Sequence, residues 1–219
     1  MIDEDQFARL SAVVADQQAR IQRLEDEREI SHLLSLYGFL VDLPGDEPWV
    51  NLFTDDGSVD MSFGHGAYAG VGEVKGHEAL LEFIKDEGGV GRKRPGNFLR
   101  IMHMQGNNEA IHVDGDEAVA NSYSWVLRRE ADGSLKITTG GVNQWHFRRV
   151  EGRWLIVSRT RREVGDPLNA EILAPTVVDA HPRLPHTLQQ HTERRGTGDG
   201  STVDEPGEDR ADDGIIRDE

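Results

Sequence analysis

Apolar residues recur at helical spacing along the first forty residues of the chain. A narrow stripe with polar and charged residues between its members comes first, and a broader apolar face follows it; the stripe contains Leu10, Val14, Ile21 and Leu24. One helix of this length would exceed the usual ~8–20 residues. We therefore predict an N-terminal arm over residues 1–27, helical from 5 to 26, and a first core helix over 28–41. The stripe favours packing either on a neighbouring subunit or along the arm's own domain.

Shorter patterns predict strands and two further helices after residue 45. A short helix at 49–53 ends in a turn at 54–57, and residues 77–87 form another helix. Alternating apolar and polar residues predict one strand through Val59, Met61 and Phe63. Four long strands follow, separated from one another by Asp-Gly or Glu-Gly pairs; they cover residues 98–113, 117–130, 135–150 and 153–164. Helices followed by a meander of antiparallel strands indicate an α+β fold, with the helices on one face of a curved sheet.

The C-terminal quarter of the chain differs in composition from the rest. Prolines mark residues 165–192 as an extended exit segment that leaves the domain. Residues 193–219 contain ten acidic residues against four arginines and few large apolar side chains. Such a segment cannot bury enough apolar surface to offset the loss of chain entropy, so we predict a disordered acidic tail.

Charge and residue usage exclude several classes of function. The formal net charge of −16 opposes binding to nucleic acid and to anionic membranes. The chain has no cysteine, which rules out thiolate catalysis and Cys-ligated zinc, and its histidines lack metal-ligand spacing. We therefore expect neither a metal nor a cofactor. An acidic start and the lack of a long apolar stretch favour a cytoplasmic protein.

Three side chains could carry acid–base chemistry without a cofactor. Tyr37 lies five positions before Asp42 at the end of the predicted core helix, and His103 lies on a predicted strand. A carboxylate and an imidazole in a partly desolvated cavity can be poised for proton transfer near neutral pH. Structural roles are the alternatives: Asp42 as a turn residue, Tyr37 as a core aromatic and His103 as a satisfied strand histidine. Arg159 and Arg161 share one strand face, which points either inward or to water.

Five short motifs occur in an order that resembles a known family. They are Tyr37-Gly-Phe-Leu-Val-Asp42, Leu52-Phe-Thr-Asp-Asp-Gly57, His103-Met-Gln-Gly-Asn107-Asn108, Ile111-His-Val-Asp-Gly-Asp116 and Arg149-Val-Glu-Gly-Arg-Trp154. Together they resemble the SnoaL-like group of the nuclear transport factor two-like superfamily, over about residues 28–164. The resemblance implies a cone-shaped barrel with a cavity between sheet and helices, in a homodimer or homotrimer. It also implies a pocket that takes a small hydrophobic cyclic substrate.

The resemblance assigns roles to residues of this chain. Members such as scytalone dehydratase, bile acid dehydratase and hexachlorocyclohexane dehydrochlorinase use a His–Asp dyad, which falls here on His103 and Asp42, with Tyr37 as a hydrogen-bond donor. Arg159 and Asn143 correspond to polar residues that face the pocket. Candidate apolar walls are Trp49, Phe63, Trp125, Trp145 and Phe147. Two asparagines follow His103 where the family spacing has one, so we expect a bulge that re-aims the histidine.

Three hypotheses for function follow from these residues and the resemblance. The first is a cofactor-independent lyase, a dehydratase of a cyclic or polycyclic hydrophobic substrate. The second is an isomerase or cyclase that uses the same dyad. The third is a non-catalytic subunit that binds a ligand, like the small subunit of a dioxygenase, in which His103 and Asp42 need not touch.

Overall fold

The computed structural model describes residues 3–43, 45–61, 72–89 and 101–180 as an α+β domain. Its elements in chain order are α1 (Glu4–Asp42), α2 (Glu47–Val50), β1 (Phe53–Asp60), β2 (Glu73–Lys75), α3 (His77–Gly89), β3 (Ile101–Asp114), β4 (Glu117–Arg129), β5 (Leu135–Val150), β6 (Arg153–Glu163) and α4 (Leu168–Ala180). The predicted fold class is confirmed. Phe63 and residues 181–219, with the predicted acidic tail, lie outside the described residues.

The first helix is continuous, so the predicted split near residue 27 is wrong. It begins at a capping box, in which the Asp3 carboxylate accepts from the Gln6 N–H at 2.7 Å and the Gln6 side chain accepts from the Asp3 N–H. No glycine or proline interrupts residues 26–29, so nothing local ends the helix there. Residues 3–25 are all exposed, and burial of one helix face begins at Asp26.

Over the described ranges, six strands form one open sheet in the order β2-β1-β6-β5-β4-β3. The meander from β3 to β6 is antiparallel, as predicted, whereas β1 pairs with β6 in parallel. Residues 54–57, predicted as a turn, lie within β1, where the Thr54 hydroxyl donates to the Asp56 carboxylate. Helix α1 packs on β3, and α3 packs on β1. The core between helices and sheet centres on Ile30, Leu34, Tyr37, Trp49, Phe53, Trp145 and Ile156.

At two places near the site, a bulge changes the strand register and the direction of the side chains that follow. The first interrupts the β3–β4 register between Met104 and Ala110, directly after His103, where we expected a bulge. The second interrupts the β5–β6 register at His146 and Phe147. On β6, Trp154 and Ile156 are buried before this bulge, and Arg159 and Arg161 are buried after it. The change of parity places both arginines on the inner face.

The segment after β6 forms a helix, so the prediction of an extended exit over residues 165–192 is wrong where the structure describes it. The Asp166 carboxylate accepts from the Leu168 N–H at 2.9 Å, which caps α4. Pro167 lies immediately before the first residue of α4, where a missing N–H costs nothing. The helix is anchored where Asn121 donates to the Ile172 carbonyl at 2.9 Å.

Among the described residues, no helix is both long and apolar enough to cross a lipid bilayer.

Candidate active site

The carboxylate that ends α1 holds the imidazole on β3 by two hydrogen bonds. Asp42 Oδ1 lies 2.6 Å from His103 Nδ1, and Asp42 Oδ2 accepts from the His103 backbone N–H at 2.8 Å. The two side chains are only 11% and 8% exposed. Because the carboxylate engages both the ring and the backbone of one residue, it fixes the ring's orientation as well as its position. An ionised Asp42 requires the proton on Nδ1, which leaves a lone pair on Nε2.

A glycine on α1 permits the close approach that this pairing needs. A Cβ built on Gly38 would lie 2.6 Å from the backbone oxygen of His103, closer than real Cβ atoms come. Gly38 lies one turn before Asp42 on α1. The helix end and the strand can therefore touch only because position 38 has no side chain.

A buried guanidinium lies beside the tyrosine of the site. Arg159 is 4% exposed, and its Nη1 donates to the Tyr37 hydroxyl at 2.6 Å. Asn143 Oδ1 accepts from Arg159 Nε at 3.1 Å and Nη2 at 2.9 Å, and Gln105 Oε1 accepts from Nη2 at 3.1 Å. The guanidinium also lies 4.9 Å from the ring centroids of Tyr37 and Trp145. All these partners are neutral, so they orient the positive charge of Arg159 without cancelling it.

The tyrosine hydroxyl is thereby prepared to donate a hydrogen bond. Its oxygen accepts from Arg159, which leaves the O–H as the donor function of the hydroxyl. The Tyr37 ring packs edge-on against Trp49 and Trp145, with centroids 5.3 and 5.1 Å away, which fixes the position of the hydroxyl. A donor fixed by packing and backed by a cation suits the stabilisation of an oxyanion.

One narrow cavity brings these groups together. It is lined by Tyr37, Val41, Met61, His103, Gln105, Val126, Thr139, Arg159 and Arg161. The space that the centre of a water-sized sphere can reach is about 20 Å³, which is room for about one water molecule. Its wall is more polar than the aromatic wall we predicted. A substrate ring can enter only if lining side chains move.

Several predicted wall residues lie elsewhere. Trp49 and Trp145 are fully buried in the core behind Tyr37, and Asn143 lies behind Arg159. Trp125 is 38% exposed and donates to Met104 Sδ, whereas its neighbour Val126 lines the cavity. Since successive residues of a strand face opposite sides, Trp125 belongs to the outer face of the sheet, and its prediction as a pocket wall is wrong.

Among the lining residues absent from the predicted site are two that can hydrogen-bond or carry charge on the same strands as His103 and Arg159. Gln105 lies two positions after His103 on β3, and Arg161 lies two positions after Arg159 on β6. Strand alternation from the two predicted residues could have found both. Arg161 is 3% exposed and donates to Ser124 Oγ at 3.3 Å and to Thr139 Oγ1 at 2.9 Å. A second guanidinium therefore adds to the positive potential of the cavity.

Within the described ranges, no three His, Asp or Glu side chains cluster as metal ligands do. The groups assembled at the site are an imidazole, its carboxylate partner, a phenol hydroxyl and two guanidinium groups. Such a set can transfer a proton and stabilise an oxyanion.

Comparisons with known proteins agree with this architecture. Residues 22–160 match the family model described as a SnoaL-like domain. A nuclear transport factor two-like protein with a cystatin-like fold from Novosphingobium aromaticivorans is 26% identical; the match covers 79% of this chain and 98% of that chain, with a TM-score of 0.60. A protein of unknown function from Mycobacterium tuberculosis is 24% identical. This match covers 78% of this chain and 96% of that chain, with a TM-score of 0.54. Comparison with curated protein sequences gives no match.

Proposed function

Since the chain belongs to the family of SnoaL-like domains, we propose that it is a cofactor-independent lyase that removes water from a carbonyl compound. One observation carries the proposal: the ring of His103 is held by Asp42 at 2.6 Å in a cavity that Tyr37 and Arg159 also line. A binding subunit without catalysis would not require the contact between His103 and Asp42. That contact therefore favours the enzyme over the non-catalytic hypothesis.

The proposed reaction begins with His103 as a general base. Its Nε2 accepts a proton from the carbon next to the carbonyl group, and the electron pair of that C–H bond moves to the carbonyl oxygen. Asp42 stabilises the imidazolium that forms, as the carboxylate of a catalytic triad does. The Tyr37 hydroxyl donates to the developing oxyanion, and Arg159 supports it with positive charge.

Elimination completes the reaction. The oxyanion re-forms the carbonyl group, the enolate C=C electron pair moves to form a double bond to the next carbon, and the C–O bond to the hydroxyl group on that carbon breaks. The imidazolium of His103 gives its proton to that hydroxyl, which departs as water and restores the neutral ring. No electron acceptor is needed, because the substrate is neither oxidised nor reduced overall.

The residues that line the cavity narrow the range of substrates that we propose. Arg159 and Arg161 favour an electron-rich oxygen at the reacting end, and Val41, Met61 and Val126 supply a short apolar wall. We expect a small cyclic molecule with a carbonyl group and a hydroxyl group on the second carbon from it. Its ring would bind after the lining side chains move, since the space described is about 20 Å³.

A panel of cyclic β-hydroxy carbonyl compounds tests this function. We expect product that has lost the mass of water, and losses of ~10²–10⁴-fold in kcat/KM for His103→Ala and Asp42→Asn. His112→Ala is the matched control, because His112 is exposed on the same strand, and it should retain full activity. A product of unchanged mass would identify an isomerase instead of a lyase. Losses below ~10-fold in both dyad variants would contradict the acid–base role.

A further inference from the structure

An apolar stripe on the N-terminal half of α1 has no cover among the described residues. Its members are between 54% and 68% exposed, although each is a large apolar side chain; they are Phe7, Leu10, Val14, Ile21 and Leu24. Most of the stability of a helix in a protein comes from the packing of its apolar face and not from helix propensity. A helical arm that carries such a stripe therefore needs a partner that buries it.

The domain's own core lies on the other side of the helix. Leu10 and Ile30 are twenty positions apart, as are Val14 and Leu34. Twenty steps of ~100° leave the two sets ~160° apart around the helix axis. Ile30 and Leu34 are fully buried against the domain, whereas Leu10 and Val14 face away from it. A second chain can therefore cover the stripe without displacing the domain.

The stripe has the spacing of a two-stranded coiled coil. Its steps from Phe7 through Leu10, Val14, position 17 and Ile21 to Leu24 alternate three and four residues, with Phe7, Val14 and Ile21 at a and Leu10 and Leu24 at d. β-branched residues at a with leucine at d favour a parallel dimer over a trimer. Arg28 occupies the next a position and is exposed, which ends the apolar seam before the domain begins.

Polar residues of the arm select the parallel arrangement. In a parallel pair, Arg20 at g faces Glu25 of the partner subunit at e, and the symmetric contact repeats the attraction. In an antiparallel pair with the same overlap, Glu4 would instead face Glu25 of the partner subunit, and the two like charges would repel. Gln17, at d, would meet its own copy only in the parallel arrangement, where one polar layer fixes the register.

We infer that two copies of this chain associate through residues 4–28 of α1 as a parallel, in-register coiled coil. The occupant of the stripe is thus the same stripe of a second copy. The proposed catalytic role of His103 does not depend on this association, because the stripe lies on the arm and the cavity lies in the domain.

A single introduced cysteine tests the orientation, because the chain has none of its own. Mild oxidation of full-length Gln17→Cys should give a disulfide-linked dimer, since the two position-17 side chains face one another. Ala19→Cys is the matched control on the outer face of the arm, and it should cross-link at least ~10-fold more slowly. Equal cross-linking of the two variants, or none in Gln17→Cys, would overturn the parallel register.

Sedimentation equilibrium tests the association itself. Ile21→Lys with Leu24→Lys places charges in the seam and should weaken dimerisation at least ~100-fold. Ala12→Lys with Ala19→Lys, on the outer face, adds the same charge and should leave it unchanged. Thermal unfolding of both variants checks that the domain remains folded. Wild type that is monomeric at micromolar concentration, or a dimer insensitive to the seam lysines, would overturn the inference.

Discussion

Two carboxylates of α1 are withdrawn from water, and their partners give them different roles. Asp26 Oδ1 accepts from Arg149 at 2.6 Å, from Gln22 at 3.1 Å and from the indole N–H of Trp154 at 3.2 Å. Burial raises the pKa of Asp26, but the hydrogen bonds from Arg149, Gln22 and Trp154 outweigh burial, so its pKa is lowered. Asp42 instead engages the imidazole of His103, a group that can accept and return a proton. The first carboxylate thus secures the helix, and the second is suited to proton transfer.

The lowered pKa of Asp26 predicts how stability depends on pH. A carboxylate whose pKa is lower in the folded state stabilises fully above its ordinary value of ~3.9, and this contribution is lost as the pH falls through the folded-state value. Asp26→Asn should lower the free energy of unfolding at neutral pH by ~1.5–3 kcal/mol, and the difference from wild type should shrink below about pH 4. Urea unfolding at several pH values measures both effects.

Asp16→Asn is the matched control for this prediction, because Asp16 is an exposed aspartate on the same helix. It should change stability by less than ~0.5 kcal/mol at every pH. A difference between Asp26→Asn and wild type that stayed constant from neutral to acid pH would show that the charge of Asp26 is not what stabilises the helix.

At the scale of elements, the site depends on the contact between the end of α1 and β3. Gly38 lets the helix reach the His103 carbonyl, and the bulge after Met104 sets the direction of the strand beyond the histidine. The bulge contains Gly106, whose φ of 64° belongs to the left-handed region that glycine adopts without strain. Helix and strand therefore place the dyad jointly, and neither does so alone.

A methyl group at position 38 should separate the two elements. Alanine is a better helix former than glycine by ~1 kcal/mol, so Gly38→Ala would stabilise an exposed helix. Here its Cβ meets the His103 oxygen, and we expect a net loss of ~1–3 kcal/mol in the free energy of unfolding, together with lower activity. Ser35→Ala, on the exposed side of the same turn region, is the control and should be nearly neutral. A more stable Gly38→Ala would contradict the close approach.

At the scale of the whole molecule, local patterns predicted the elements better than their junctions. Alternation and Asp-Gly turns identified the four long strands and the α+β class, because these signals act within a few residues. The continuous helix and the helix after Pro167 differ from the prediction, because no glycine or proline breaks residues 26–29 and the Asp166 carboxylate caps α4. The inward direction of Arg159 depends on a bulge, which strand parity alone cannot show.

The pairing within the candidate site came from family resemblance more than from spacing. His103 and Asp42 are 61 positions apart, and no local pattern predicts a contact over that distance. The aromatic residues were misassigned for a related reason, because a large apolar side chain has the same pattern in a core, on a pocket wall and on an outer sheet face. Only the three-dimensional packing distinguishes Trp145, which lies in the core, from Trp125, which lies on the outer face of the sheet.

The position of the proton on the His103 ring tests the central claim without any knowledge of the substrate. Nitrogen-15 NMR of labelled protein, at a pH where the ring is neutral, distinguishes a protonated ring nitrogen from a bare one. We predict that His103 carries its proton on Nδ1, toward Asp42, and that Nε2 is bare, as a base in the cavity must be. A proton on Nε2, or a mixture of the two forms like that expected for the exposed ring of His112, would contradict the account.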